Sequence, residues 1–293
     1  MKRIAFVSLA VLICVQVALP AGAEVDEARK KAIEQAALDY MDGAHSGDAA
    51  RVEKAIHPEL TKVSVRRMPN GHDVLRKTGY TSLIELVRAN VVAVPEEERD
   101  IEVTVFAVRE NLASVKVTSS VFYDYLLLAE IEGEWKLINV LWKRNPEWVR
   151  KNRPESLEGK PPFDAIAEKR AIEAAALNYL EGYYTGNAER MARGVHPELI
   201  KVWPRPVPQT GRTMLQKIGA GYLIEMTGTG SGKLDEGKRN ISMTIFDYGD
   251  DIAMAEALSA MFYDYLQLAK IDGEWKIINV LWVMNPDAPK RDR

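Results

Sequence analysis

The chain is 293 residues long, 47% hydrophobic and 28% charged, with a formal net charge of −3. That composition is ordinary for a folded globular protein and excludes a disordered chain. The mildly acidic balance gives no electrostatic footprint for nucleic acid, which would call for a basic face.

At the N-terminus, Lys2 and Arg3 form a short basic region, Ile4 to Leu19 is apolar apart from Ser8 and Gln16, and Pro20 precedes Ala21-Gly22-Ala23. This pattern predicts a secretory signal peptide over residues 1–23, cleaved after Ala23. The apolar run is short for a membrane span of about 20 residues. The only cysteine, Cys14, lies inside this segment, preceded by Leu12-Ile13 and not by the small residue a lipoprotein site would need. The expected mature chain, Glu24 to Arg293, is therefore exported to the periplasm or the exterior without a thiol, a disulfide or a membrane anchor, and rests on apolar burial alone. Loss of Lys2 and Arg3 takes its formal charge from −3 to −5.

Internal repetition sets the architecture. Phe122-Tyr123-Asp124-Tyr125-Leu126 recurs as Phe262-Tyr263-Asp264-Tyr265-Leu266, and Gly133-Glu134-Trp135-Lys136 as Gly273-Glu274-Trp275-Lys276, 140 residues on in each case. Ala36-Ala37-Leu38-Asp39-Tyr40 returns as Ala175-Ala176-Leu177-Asn178-Tyr179, and His57-Pro58-Glu59-Leu60 as His196-Pro197-Glu198-Leu199, now 139 apart. Repeats of about 120 residues are domain-sized, not solenoid-sized. We expect a duplicated domain, the first copy at 24–147 and the second at 164–293. Residues 148–163, rich in charge and proline, read as a semi-extended linker.

In each copy helices come first. Ile33, Ala36, Ala37 and Tyr40, and likewise Ile172, Ala175, Ala176 and Tyr179, recur at the spacing of an amphipathic helix, with Gly43 and Gly47, or Gly182 and Gly186, at its close. A short helix is predicted through Val52 to Ile56, ending before His57-Pro58. A third is predicted from near Asp73, or Thr213, through Leu83-Ile84-Glu85-Leu86, or Leu223-Ile224-Glu225-Met226. Ile101 to Val108, Ala113 to Leu128 and Glu134 to Trp142 then read as antiparallel strands, with turns at Glu110-Asn111 and Glu132-Gly133. Helices set on one face of a sheet make an α+β domain.

The run Phe262 to Trp282, FYDYLQLAKIDGEWKIINVLW, resembles the closing hairpin of the putative lumazine-binding family, within the nuclear transport factor 2-like superfamily that includes SnoaL-like proteins. Tyr179 to Asn187 resembles the family's first helix and turn, and His196-Pro197 its step into the first strand; the first copy carries the same marks. The resemblance implies two tandem cone-shaped domains, each a curved, mostly antiparallel sheet wrapped by N-terminal helices around an apolar, ligand-sized cavity. In the family a lysine commonly precedes the Ile-Asp-Gly turn; Lys270 keeps it and Glu130 replaces it. The superfamily contains isomerases, dehydratases, cyclases and binding modules, so the fold names no single reaction.

From the residues alone, Asp124 and Asp264 are the sharpest candidates for chemistry. An acid between aromatics on an apolar strand loses hydration, which suits general acid or base duty; the alternative is a carboxylate held by neighbouring hydrogen bonds. His57 and His196, one per copy at a helix-to-strand corner, are the candidate proton-transfer partners, or else local caps. Tyr40, Tyr179, Tyr123 and Tyr263 could offer hydroxyls to a ligand, and Trp142 and Trp282 a stacking face, or all six could be packing. Gly228 to Lys233 resembles a phosphate loop but lacks its first glycine and final Ser or Thr. His45 and His72 have no zinc-type spacing, so no metal and no cofactor is indicated.

Three readings follow. The first is an exported binding protein for an apolar or aromatic small molecule, its two domains pairing sheet to sheet as an intrachain pseudo-dimer. The second is a cofactor-independent isomerase, dehydratase or cyclase built on a buried Asp with His or Tyr. The third is a protein-interaction scaffold with filled cavities.

Overall fold

The computed structural model describes residues 26–154 and 162–289; the expected signal peptide and part of the expected linker lie outside them. The first copy runs α1 (Glu27–Ser46), α2 (Ala49–Ala55), β1 (Ile56–Arg67), β2 (Asp73–Gly79), α3 (Tyr80–Arg88), β3 (Glu102–Arg109), β4 (Leu112–Thr118), β5 (Phe122–Ile131) and β6 (Glu134–Arg144). A short helix, α4 (Pro146–Asn152), follows. The second copy repeats the order as α5 (Ala165–Thr185), α6 (Ala188–Gly194), β7 (Val195–Val207), β8 (Arg212–Gly219), α7 (Ala220–Gly228), β9 (Ser242–Tyr248), β10 (Ile252–Leu258), β11 (Phe262–Ile271) and β12 (Glu274–Met284).

Each copy forms one six-stranded sheet, ordered β2-β1-β6-β5-β4-β3 and β8-β7-β12-β11-β10-β9. All neighbours are antiparallel except β1 with β6 and β7 with β12. The register slips between Leu127 and Leu128, and between Gln267 and Leu268, at matching places in the closing hairpins. Such bulges sharpen local twist and bend a strand, which lets the sheet curve round its helices.

Local chemistry fixes the helical layer. Asp26 accepts from the Ala28 amide at the start of α1, and Asp48 from the Arg51 amide at the start of α2. Gly47 closes α1 in the left-handed region at φ 74°. Gly43 and Gly182, expected at the helix close, lie inside α1 and α5. Their task is close approach: a Cβ on Gly182 would sit 2.7 Å from the Met191 backbone nitrogen of α6.

Three expectations are corrected. Asp73–Gly79 and Arg212–Gly219 are strands, not helix starts, because their backbones complete antiparallel ladders with β1 and β7; α3 and α7 begin only after Gly79 and Gly219. The run Ala113 to Leu128 is two strands, turned where the Ser119 hydroxyl oxygen accepts from the Phe122 amide at 3.0 Å. Within 148–163, residues up to Asn152 belong to α4 and are helical.

Both faces of each sheet are covered. Leu126, Leu128 and Val140 join the core under α1 to α3, with Ile33, Ala37 and Ile84; the second copy matches it. The opposite faces share a third cluster, in which Val63, Tyr125, Leu127 and Ile138 pack with Val202, Met254, Tyr265 and Ile278. Strands buried on both faces read as continuous apolar runs, which explains Tyr125 to Ala129. Ring and polar contacts cross the same boundary. The Phe106 and Phe246 rings stack at 5.3 Å, Arg109 pairs with Glu256 at 2.8 Å, Lys116 with Asp247 at 2.8 Å, and Gln267 donates to the Tyr125 carbonyl at 2.9 Å.

Candidate functional site

On β7, successive side chains alternate between faces, so Leu199 and Lys201 look toward the helices while Val202 packs in the inter-sheet cluster. On β11 the same alternation turns Asp264 toward the helices and Tyr265 away. Tyr179, on the inward stripe of α5, comes down onto both. The Lys201 ammonium donates to Asp264 Oδ1 at 2.6 Å and to the Tyr179 hydroxyl at 2.5 Å. Tyr179 donates in turn to Asp264 Oδ2 at 3.2 Å. Asp264 is 1% exposed and Lys201 4%.

The first copy repeats this triad with Tyr40, Lys62 and Asp124. Both Tyr40 and Lys62 donate to Asp124 Oδ2 at 2.7 Å, and Lys62 also donates to Tyr40. Aromatic rings close round each ammonium. Lys201 Nζ lies 4.5 Å from the Trp282 ring centre, 5.0 Å from Phe262 and 5.3 Å from Tyr179; Lys62 has Trp142 at 4.7 Å, Tyr40 at 5.2 Å and Phe122 at 5.7 Å. A ring's negative face attracts a cation most where water is excluded.

Electrostatically the triads are neutral units. Burial pushes the Lys201 ammonium below its usual range, opposed by the Asp264 charge, and Lys62 behaves likewise beside Asp124. Burial, and then the carboxylate, raise the Tyr179 and Tyr40 phenols well above theirs, so both keep their protons. A lone buried charge would be costly; a paired, hydrogen-bonded one is tolerated.

In the second copy the triad forms one end of a cavity of about 210 Å³, walled by Tyr183, Tyr222, Leu223, Met226, Phe262 and Trp282. Tyr222 is 61% exposed at its lining. In the first copy several counterparts differ. Tyr80, packed against the core, stands where the second copy has Ala220. The Arg144 guanidinium, where the second copy has Met284, lies 4.7 Å from the Phe122 ring and 4.8 Å from Trp148 of α4.

The sequence-predicted residues are thus partly gathered. Asp124, Asp264, Tyr40, Tyr179, Trp142 and Trp282 are at the triads. Tyr123 and Tyr263 are not: as immediate neighbours of the acids they face the other sheet, where Tyr123 donates to Asp247 at 2.6 Å. His57 and His196 do not reach the acids either. Each Nδ1 accepts the amide two residues on, Glu59 or Glu198, at 3.1 Å, and burial lowers both imidazoles below their ordinary range. Both lie in the stretch where β1 and β7 slip register against β6 and β12. The histidine beside a site is His45, fully buried, bonded to Val92 and Ser119 and stacked on Phe122 at 5.7 Å; in the second copy Tyr184 holds Ser259 instead.

Lys270 also proves to be a tie. It pairs with Glu168 of α5 at 2.5 Å, while Trp275 donates to the same carboxylate. The first copy reverses the charges, Arg29 meeting Glu130 at 3.3 Å and covering Trp135. Lys62 and Lys201 are the residues sequence reasoning missed. Their signal was present: each is followed by valine and each lies two residues after the repeated His-Pro-Glu-Leu, at the same 139-residue spacing.

Among the described residues no cluster of three or more His, Cys, Asp or Glu could hold a metal ion, and no helix is long and apolar enough to cross a membrane. The family model described as "Putative lumazine-binding" matches residues 28–143 and again 167–283. No curated protein matches the chain. Solved structures similar to it include an NTF2-like protein of unknown function from Silicibacter pomeroyi, 17% identical over 40% of this chain and 97% of that one, with a TM-score of 0.33. Another, from Shewanella baltica, is 17% identical over 42% and 99%, at 0.35. A ketosteroid isomerase-like protein from Erwinia carotovora atroseptica is 16% identical over 39% and 94%, at 0.27.

Proposed function

The chain belongs to the putative lumazine-binding family, as two tandem nuclear transport factor 2-like domains, and on that premise we propose that it is an exported binding protein whose second domain holds a small apolar or aromatic molecule. The observation that carries this reading is the cavity of about 210 Å³ in that domain, with aromatic and aliphatic walls and a polar group formed by Lys201, Asp264 and Tyr179. Ligand pockets generally combine an apolar lining with a few placed polar groups. An open, aromatic cavity argues against a scaffold with a filled interior. The basic, apolar and small-residue pattern of residues 1–23 supports export, and the absence of cysteine after Cys14 suits an oxidising compartment.

In this reading the two domains are an intrachain pseudo-dimer, which the shared inter-sheet cluster supports. Catalysis by a free carboxylate is the weaker alternative, because both Asp264 oxygens are already engaged, one by Lys201 and one by Tyr179. Titration of the mature chain with lumazine, a planar and neutral heteroaromatic, followed by tryptophan fluorescence, tests the proposal. We expect saturable quenching, weakened at least about tenfold, or about 1.4 kcal/mol, by Leu223→Trp, which fills the cavity. A folded chain that binds neither lumazine nor a neutral bicyclic hydrocarbon sinks it.

A further inference from the structure

The polar end of the cavity is unusual in presenting an amine. Lys201 lines the space, its ammonium is flanked within hydrogen-bond distance by one carboxylate and one phenol, and the Trp282, Phe262 and Tyr179 rings lie within 5.3 Å of it. A lysine kept only as a charge for an anionic ligand would not need a buried counter-ion; here Asp264 already cancels it, so an anion would bring net charge into an apolar space. The arrangement suits a neutral ligand that reacts with nitrogen. Resting on the cavity reading above, we propose that Lys201 condenses with a neutral aldehyde or ketone bearing an aromatic or apolar body, holding it as an imine paired with Asp264.

Each step has its group in place. The Lys201 ammonium passes a proton to Asp264 across their 2.6 Å hydrogen bond, leaving an amine whose lone pair forms a C–N bond with the carbonyl carbon. The C=O π pair moves to oxygen, which gains a proton from the new N–H through the Tyr179 hydroxyl, giving a carbinolamine. Asp264 returns its proton to that hydroxyl, water leaves, and the nitrogen lone pair completes the C=N bond. One ammonium and one carbonyl become one iminium and one water. Asp264 is a carboxylate before and after, so the site is neutral at both ends of the reaction. Burial that lowers the lysine's proton affinity favours the amine needed for attack, and the Trp282 and Phe262 faces attract the iminium as they attract the ammonium.

The first copy has the same triad but is less suited. Arg144 adds a second positive charge that acts on Lys62, and it would repel an iminium there.

The test uses the whole mature chain, benzaldehyde and sodium cyanoborohydride at pH 7, with intact mass and peptide mapping. We expect benzylation concentrated on the Lys201 peptide, at least about tenfold faster than at the exposed Lys31 and Lys169 and faster than at Lys62. Lys201→Met should remove that adduct; if this variant does not fold, the peptide map of the native chain decides alone. Labelling spread over exposed lysines with Lys201 untouched overturns the proposal. If lumazine still quenches tryptophan fluorescence in that sample, the imine fails while the cavity reading stands; if it does not, both fail.

Discussion

Lys201→Met in the second triad isolates what the buried pair contributes. Asp264 is 1% exposed and the Lys201 side chain 5%, so solvent screening does not discount the pair as it would on a surface. Methionine keeps the length and apolar stem but deletes two donated hydrogen bonds, one to Asp264 and one to Tyr179. It leaves a desolvated carboxylate with only the tyrosine, for which the expected loss is about 3–5 kcal/mol. With a urea dependence near ~3 kcal/mol/M, the unfolding midpoint should fall by about 1 M or more. Lys201→Met with Asp264→Leu removes both charges and should be less destabilised than Lys201→Met alone, the residual cost being the Tyr179 hydroxyl left without its acceptor. Circular dichroism through urea titrations reads all three proteins. A single-variant loss under about 1 kcal/mol, the worth of a surface pair, or a double variant no more stable than Lys201→Met alone, would refute the reasoning.

Other outcomes follow from neighbouring geometry. Burial holds His45 below its ordinary value, so the unfolded chain takes up more protons there; its contribution is complete above about pH 6.5 and is lost as pH falls through the lowered folded value. His45→Tyr, copying Tyr184 of the second copy, should therefore flatten part of the acid limb of a stability-against-pH curve, and an unchanged limb would show His45 titrating normally. Gly182→Ala drives a Cβ to 2.7 Å from the Met191 backbone and should cost about 1–3 kcal/mol in thermal or urea unfolding; a neutral result would mean that α5 and α6 separate freely. Phe246→Ala empties one side of the ring stack with Phe106 between the sheets. It should destabilise by about 3–5 kcal/mol at most, the half-buried ring placing it at the low end, and a change confined to the second domain's unfolding would show that the sheets do not share a core.

Much of this fold was legible because the duplication printed it twice. The helical spacing of Ile33, Ala36, Ala37 and Tyr40, and the turns at Glu110 and Glu132, which take positive φ of 49° and 52°, were readable locally. Errors arose where tertiary pairing overrode local signals. The helix expected from near Asp73 gives way to an edge strand, whose ladder with β1 decides its conformation. Tyr123 adjoins Asp124 in sequence, but neighbours on a strand face opposite ways, so its hydroxyl meets Asp247 and not the cavity. The lysines escaped because Lys62 and Lys201 open the segments where the copies diverge, and because lysine is seldom fully buried unless paired. The acids' neighbours in sequence were visible; the partner brought from β1 or β7 by the fold was not.

The cross-sheet ion pairs bear on which halves can meet. Lys116 and Glu256 occupy equivalent positions in the two copies, as do Ala107 and Asp247, and Arg109 and Gly249. In the native arrangement Lys116 meets Asp247 and Glu256 meets Arg109. Were two first copies from different chains to associate in the same way, Arg109 would face Lys116; two second copies would set Glu256 against Asp247. Either wrong match brings like charges together between half-covered surfaces, where they repel more than in open water. The opposite signs thus amount to a matching rule: in this arrangement each half is complementary in charge to its unlike sibling and not to its own twin.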